Sequence, residues 1–153
     1  MHLVVVVLLL LVLPTACVIA EALWLRGAAD LMVLVGKWFV FWAVGVRLFI
    51  AGLRQVVQPQ FTAESIFAIK DRSALAIVRE VGFGNLSIGT LGLLSIAKPG
   101  FVLPAAIVGG LYYGLAGVGH LVRKERNLNE QMTLVSDLFI FVVLGVFVAT
   151  RAF

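Results

Sequence analysis

A single cysteine, Cys17, rules out an intrachain disulfide and any cysteine-built metal cage. It reads instead as a small apolar residue. The two histidines, His2 and His120, lie far apart in the chain, which argues against a bis-histidine haem. Charge is also scarce, at 13% of residues, against about 25% in ordinary soluble domains. There is no Ser-His-Asp constellation, Walker sequence or phosphate loop in a strand-turn-helix setting. Gly82-Phe83-Gly84 sits inside an apolar run and reads as helix packing. These absences leave no catalytic residue and no cofactor to name. The net charge of +4 is scattered and lacks an aromatic-lined soluble surface, so nucleic acid is set aside as a partner.

What the chain has is apolar length. Of its 153 residues 62% are hydrophobic, and the mean hydropathy is +1.11. A bilayer span needs about 20 mainly apolar residues, and five runs approach this: residues 3–20, 31–53, 74–97, 101–122 and 132–150. The expected fold is all-α, an integral membrane helical bundle of about five transmembrane helices forming one domain over residues 1–153. The lipid bilayer is its first partner. The first run is expected to be a retained helix rather than a secretory signal, because Met1 and His2 bring no Lys or Arg ahead of it. Pro14 should bend it. Pro14-Thr15-Ala16-Cys17 resembles a lipoprotein cleavage box, but Pro14 stands where that box carries Leu.

Cytoplasmic loops are enriched in Lys and Arg. In a five-span arrangement one side holds Arg54, Lys70, Arg72, Arg79, Arg123, Lys124 and Arg126, and the other holds Arg26, Lys37, Lys98 and Arg151. This places the N-terminus in the cytoplasm and the C-terminus outside, in a bacterial plasma (inner) membrane. Asp30 is positioned to cap the second helix, Asp71 or Ser73 the third, and Asn127 with Glu130 the fifth. Lys98-Pro99-Gly100 should turn helices three and four into an antiparallel hairpin. The run from Phe61 to Lys70 can form a short interfacial helix in the second loop, or an ordinary connection.

Within lipid, helices associate through small residues that admit close backbone approach. Gly82, Asn85, Gly89 and Gly92 share one face of helix three, while Glu80, Gly84 and Ser87 fall nearly opposite. Helix four offers Gly109, Gly110, Gly114, Gly117 and Gly119, with Gly110 and Gly114 at the spacing for close contact. Packing is therefore assigned to Gly82, Gly89, Gly92, Gly110, Gly114 and Gly117, with helices three and four as the tight centre. Tyr112 and Tyr113 lie mid-span and need hydrogen-bond partners within the bundle.

The residues least at home in hydrocarbon are Arg47, Glu80, Asn85, His120 and Asp137. A charge at the bilayer centre costs roughly 2.5–3.5 kcal/mol on insertion scales, so such groups face a bundle interior or a cavity. The topology sets the four ionisable ones at similar depth near the inner surface, with Asn85 deeper. They form the candidate intramembrane polar cluster. It reads either as a salt-bridge network fixing helix register or as a pocket for an ion, a proton or a small polar ligand. Glu80, His120 and Asp137 could together suit iron or zinc, but no recognised ligand spacing supports that, and no metal site is assigned.

The segments Arg79-Glu80-Val81-Gly82-Phe83-Gly84-Asn85-Leu86 and Gly119-His120-Leu121, followed by Asn129-Glu130 and Asp137, resemble small uncharacterised bacterial membrane proteins. The overall pattern is similar to that of DoxX-like four-helix proteins. The first resemblance implies an inner-membrane helical bundle and no activity. Three functions are compatible with the chain. The first is a non-catalytic accessory or assembly subunit, associating with other membrane protein subunits or with itself as an oligomer. The second is a small transporter or channel using the inner-leaflet polar site. The third, implied by the DoxX-like resemblance alone, is a redox or quinone-binding subunit of a membrane enzyme.

Overall fold

The computed structural model describes residues 2–65, 69–123 and 128–152. Every regular element among them is helical. The helices are labelled α1 (Val4–Trp24), α2 (Leu31–Val57), α3 (Pro59–Ser65), α4 (Ala74–Leu94), α5 (Pro99–Leu121) and α6 (Leu128–Ala152). Four of them, α1, α2, α5 and the Glu130–Arg151 part of α6, are long and apolar enough to cross a membrane. By that measure the count is four, against the five or so expected. α4 has the length, at 21 residues, but Arg79, Glu80 and Asn85 interrupt its apolar character.

Several helices run past their expected ends because a polar residue in the extension finds a partner. α1 continues beyond residue 20 to Trp24, with Glu21 accepting two hydrogen bonds from Lys37 Nζ (2.7 and 2.8 Å) and one from Trp38 Nε1 (2.6 Å). It then stops where Arg26 (φ 50°) and Gly27 (φ 75°) turn into the left-handed region, with Gly27 N–H donating to the Ala22 carbonyl. α2 continues past residue 53 to Val57, carrying Arg54 and Gln55 inward. α6 begins at Leu128, four residues early, with Glu130 buried against His120 and Arg123.

Asp30 caps α2 by accepting from Met32 N–H at 2.8 Å, and its other oxygen pairs with Arg151 at the end of α6. These bonds, the Met32 amide first, hold its carboxyl below the usual range. Ahead of α4 it is Asp71, not Ser73, whose side chain accepts, from Ser73 N–H at 2.9 Å. Asn127 of the expected capping box lies outside the described residues. The short helix of the second loop is α3, Pro59–Ser65, rather than a run from Phe61 to Lys70; residues 66–68 lie outside the described set.

Two helices contain π-helical turns: Leu8–Val12 in α1 and Val40–Arg47 in α2. The first precedes Pro14, which has no amide hydrogen and would press on the carbonyl four residues back in a regular helix. The wider turn makes room for it. The second ends on Arg47 and sets the direction of everything on α2 that comes after it.

The glycine contacts revise the expected centre. Helices α4 and α5 touch only lightly; α4 packs instead along α2, and α5 along α6. Gly45 lies against Gly92, Phe49 against Gly89 and Gly52 against Gly82, so the numbers rise on one helix as they fall on the other and the pair is antiparallel. A methyl group at Gly52 would sit 2.7 Å from the Gly82 carbonyl oxygen, and one at Gly89 2.5 Å from Phe49 N. No side chain fits there. On α5, Gly114 and Gly117 receive Phe141 and Leu138 of α6, each 2.7 Å from where a Cβ would stand, and Gly110 meets Leu144 at 3.4 Å. The physical reason is fit: Gly82 and Gly92 of α4 meet glycines on α2 while Gly89 rests on the Phe49 backbone, and Gly114 and Gly117 of α5 form hollows for large side chains on α6. The common core, with Val40, Ala43, Val44, Ala105, Ala106, Tyr113, Ile140 and Leu144 buried, lies where α2, α5 and α6 meet. Large apolar residues such as Leu23, Leu115 and Val135 remain on the outside, each about 70% exposed or more, as expected where acyl chains are the solvent.

Candidate functional site

A cavity of about 200 Å³ lies toward one end of the bundle and takes residues from all six helices. Its polar groups come in stripes at helical spacing: Arg47, Arg54 and Gln55 on α2, Tyr112 or Tyr113 with His120 on α5, and Thr133 with Asp137 on α6. Asn85 adds one from α4, and Thr62 of α3 closes a side. The apolar wall is supplied by Val5, Val6 and Leu9 of α1 and by Leu48, Ile50 and Ala51 of α2.

Arg47 and Asp137 face each other with Nη2 and Oδ1 3.8 Å apart, close enough for Coulomb attraction and too far for a hydrogen bond. Their side chains are only 14% and 5% exposed. The Arg47 guanidinium also lies over the Tyr113 ring, 5.7 Å from its centroid. Tyr113 donates its hydroxyl to the Ala43 carbonyl at 2.6 Å, inside the π-helical stretch of α2. Asn85 Nδ2 donates to Gln55 Oε1 at 2.7 Å. His120 Nδ1 lies 3.2 Å from Glu130 Oε1, which also accepts from Arg123 at 2.8 Å. Arg54 is stacked on Phe61 of α3, 3.4 Å above the ring centroid.

Two buried oxygens, Asn85 Oδ1 and Asp137 Oδ1, have no hydrogen-bond partner among the described residues. A buried acceptor left unmade costs about 1–3 kcal/mol, and both belong to residues that line the cavity. The arrangement offers acceptors and cationic groups side by side and can hold a polar group carrying a donor.

Of the sequence-derived cluster, Arg47, Asn85, His120 and Asp137 line this one cavity, and Glu80 does not. Glu80 is exposed on the outer side of α4. It stands about 140° around the helix from Asn85 at 100° per residue. Within the bundle His120 lies against Glu130, and it is Arg47 that faces Asp137. Glu80, His120 and Asp137 therefore do not converge as a possible iron or zinc set. Arg54, Gln55, Tyr112 and Thr133 are lining residues that the sequence reading did not assign to the site. Positions 47, 51, 54 and 55 at i, i+4, i+7 and i+8 carried the signal for two of them.

A family model described as a family of unknown function (DUF6790) matches residues 1–152. No curated protein and no solved structure matches the chain.

Proposed function

The chain belongs to the DUF6790 family of unknown function, and from that starting point we propose that it is a membrane-embedded binding or transport protein. Its site is the cavity between the six helices, and its ligand carries a small polar group. The observation that carries this reading is that two buried acceptors, Asn85 Oδ1 and Asp137 Oδ1, make no hydrogen bond among the described residues, in a cavity that also holds Arg47 and His120. A network serving only to fix register would be expected to close on itself, because half-satisfied buried polar groups destabilise. The cavity is far larger than the roughly 10–15 Å³ that one water needs. The excess of Lys and Arg on one side supports a bacterial inner-membrane location with the N-terminus cytoplasmic and the site in the inner leaflet.

The test is thermal unfolding of the detergent-solubilised protein against a panel of small polar compounds, inorganic phosphate and short carboxylic and hydroxy acids included. A ligand of the native state raises the melting temperature by mass action, and Asn85→Leu should abolish the rise. If no compound shifts the wild type and Asn85→Leu simply melts higher, the cavity is a structural defect and the reading fails.

A second reading, self-association or docking to another membrane subunit, is favoured by the outer face of α4. Glu80 is exposed there, Phe83 is 50% exposed and nothing lies within 4 Å of a Cβ built at Gly84. A carboxylate facing acyl chains is costly, and a neighbour would relieve it. Sedimentation of Glu80→Leu against wild type tests this: loss of a higher oligomer supports it, and an unchanged monomer rejects it.

A further inference from the structure

The shape and lining of the same cavity narrow the kind of molecule it takes, a step that rests on the proposed binding function. Its volume, about 200 Å³, is below the roughly 300–1,000 Å³ of pockets that swallow a whole drug-sized ligand. It suits a head group with the rest of the molecule left outside. The wall that opens is apolar: Val5, Ile50 and Val81 line the cavity and are also 43%, 49% and 41% exposed on the bundle exterior. They come from α1, α2 and α4, so the opening lies between helices and faces sideways. In a bilayer that direction leads to acyl chains, not to water. Ile50 and Val81 each lie seven residues from a helix end, at Val57 and Ala74 respectively, or about 10 Å at 1.5 Å per residue. This is the depth at which head groups give way to tails.

The charges inside select the head. Asp137 is offset by Arg47 at 3.8 Å. Arg54, stacked on Phe61, has no carboxylate within 4 Å among the described residues. Two guanidinium groups against one carboxylate leave the lining cationic, and Asn85 Oδ1 and Asp137 Oδ1 make no hydrogen bond among the described residues. We infer that the site binds an amphiphile laterally from the bilayer, its anionic head carrying at least one hydroxyl or other donor and its tail lying past Val5, Ile50 and Val81.

The test uses the full chain in phosphatidylcholine nanodiscs and dodecyl hydrogen phosphate bearing a diazirine at its tail end. After photolysis the labelled peptides are mapped by mass spectrometry. Saturable labelling around Val5, Ile50 or Val81 is expected, displaced by unlabelled dodecyl hydrogen phosphate but not by dodecanol or inorganic phosphate. Arg54→Gln should weaken it about tenfold, the scale of one lost bond to a charged group. Asn85→Ala should weaken it independently, and Glu80→Gln, on the outer face, should leave it unchanged. Displacement by phosphatidylglycerol added to the disc would assign the site to a membrane lipid, and its failure to a single-chain amphiphile; both support the inference. Equal displacement by dodecanol overturns the anionic head. Displacement by inorganic phosphate overturns the amphiphile yet leaves a small polar ligand standing. Absence of saturable labelling also overturns the amphiphile, and the panel of soluble compounds then decides separately whether any binding function survives.

Discussion

Arg47 and Asp137 face each other across a gap too long for a hydrogen bond, yet both are largely withdrawn from solvent. Removing one partner strands a charge in low dielectric, whereas removing both does not. Arg47→Gln and Asp137→Asn should therefore each lower the melting temperature, and the double variant should lose less than the sum by about 1 kcal/mol or more. Additive losses in a double-mutant cycle would show that the two act separately. At the opposite end of the bundle Asp30 performs two tasks, capping α2 and pairing with Arg151. Asn also caps a helix but carries no charge, so Asp30→Asn should destabilise less than Asp30→Ala, and only the wild type should weaken when salt is added. Because the folded Asp30 carboxyl titrates below its ordinary value, its contribution is complete above the unfolded value and disappears as pH falls through the folded one. Melting measured from pH 8 to pH 5 should therefore show no pH dependence from this residue, its contribution being fully present throughout.

The contact between α2 and α4 is a backbone contact, and its tolerance to substitution should be one-sided. Gly89→Ala drives a methyl group onto Phe49 N, 2.5 Å away, whereas Gly84→Ala on the other face meets nothing within 4 Å. The first should cost about 1–3 kcal/mol through overpacking. The second should be neutral or stabilising by up to about 1 kcal/mol, since Ala favours helix over Gly. Equal melting temperatures for the two variants would refute this contact. The sequence made the element positions readable because hydrocarbon demands long apolar runs, and helical periodicity put Gly82, Asn85, Gly89 and Gly92 on one face. The partner of that face was not readable. A glycine stripe is as compatible with α5 as with α2, and the matching Gly45 and Gly52 stand on a helix whose phase is altered by the π-helical stretch over Val40–Arg47. No pattern of residue types announces that stretch. Glu80 was grouped with the cluster by depth alone; the angle around α4 decides otherwise, and Gly84 and Ser87 on its side of the helix already marked that face as separate.

For the whole molecule, the number of crossings decides on which side each terminus lies. If α4 crosses along with the four more apolar helices, the two termini lie on opposite sides, and reporters fused at either end should give opposite signals, the N-terminal one cytoplasmic. Matching signals would mean four crossings and would remove the charge-based orientation. The cavity walls draw on Val5 and on Asp137 alike, and this has a consequence for biosynthesis. Domains are made from the N-terminus onward at about 5–20 residues per second, so the chamber does not exist until the last helix has been released and docked. Until then Arg47 lacks its carboxylate, and α5 offers Gly114 and Gly117 as empty hollows. A chain stalled before residue 128 would thus present a half-built, polar-lined groove, with the Arg47 guanidinium and the glycine hollows of α5 still uncovered.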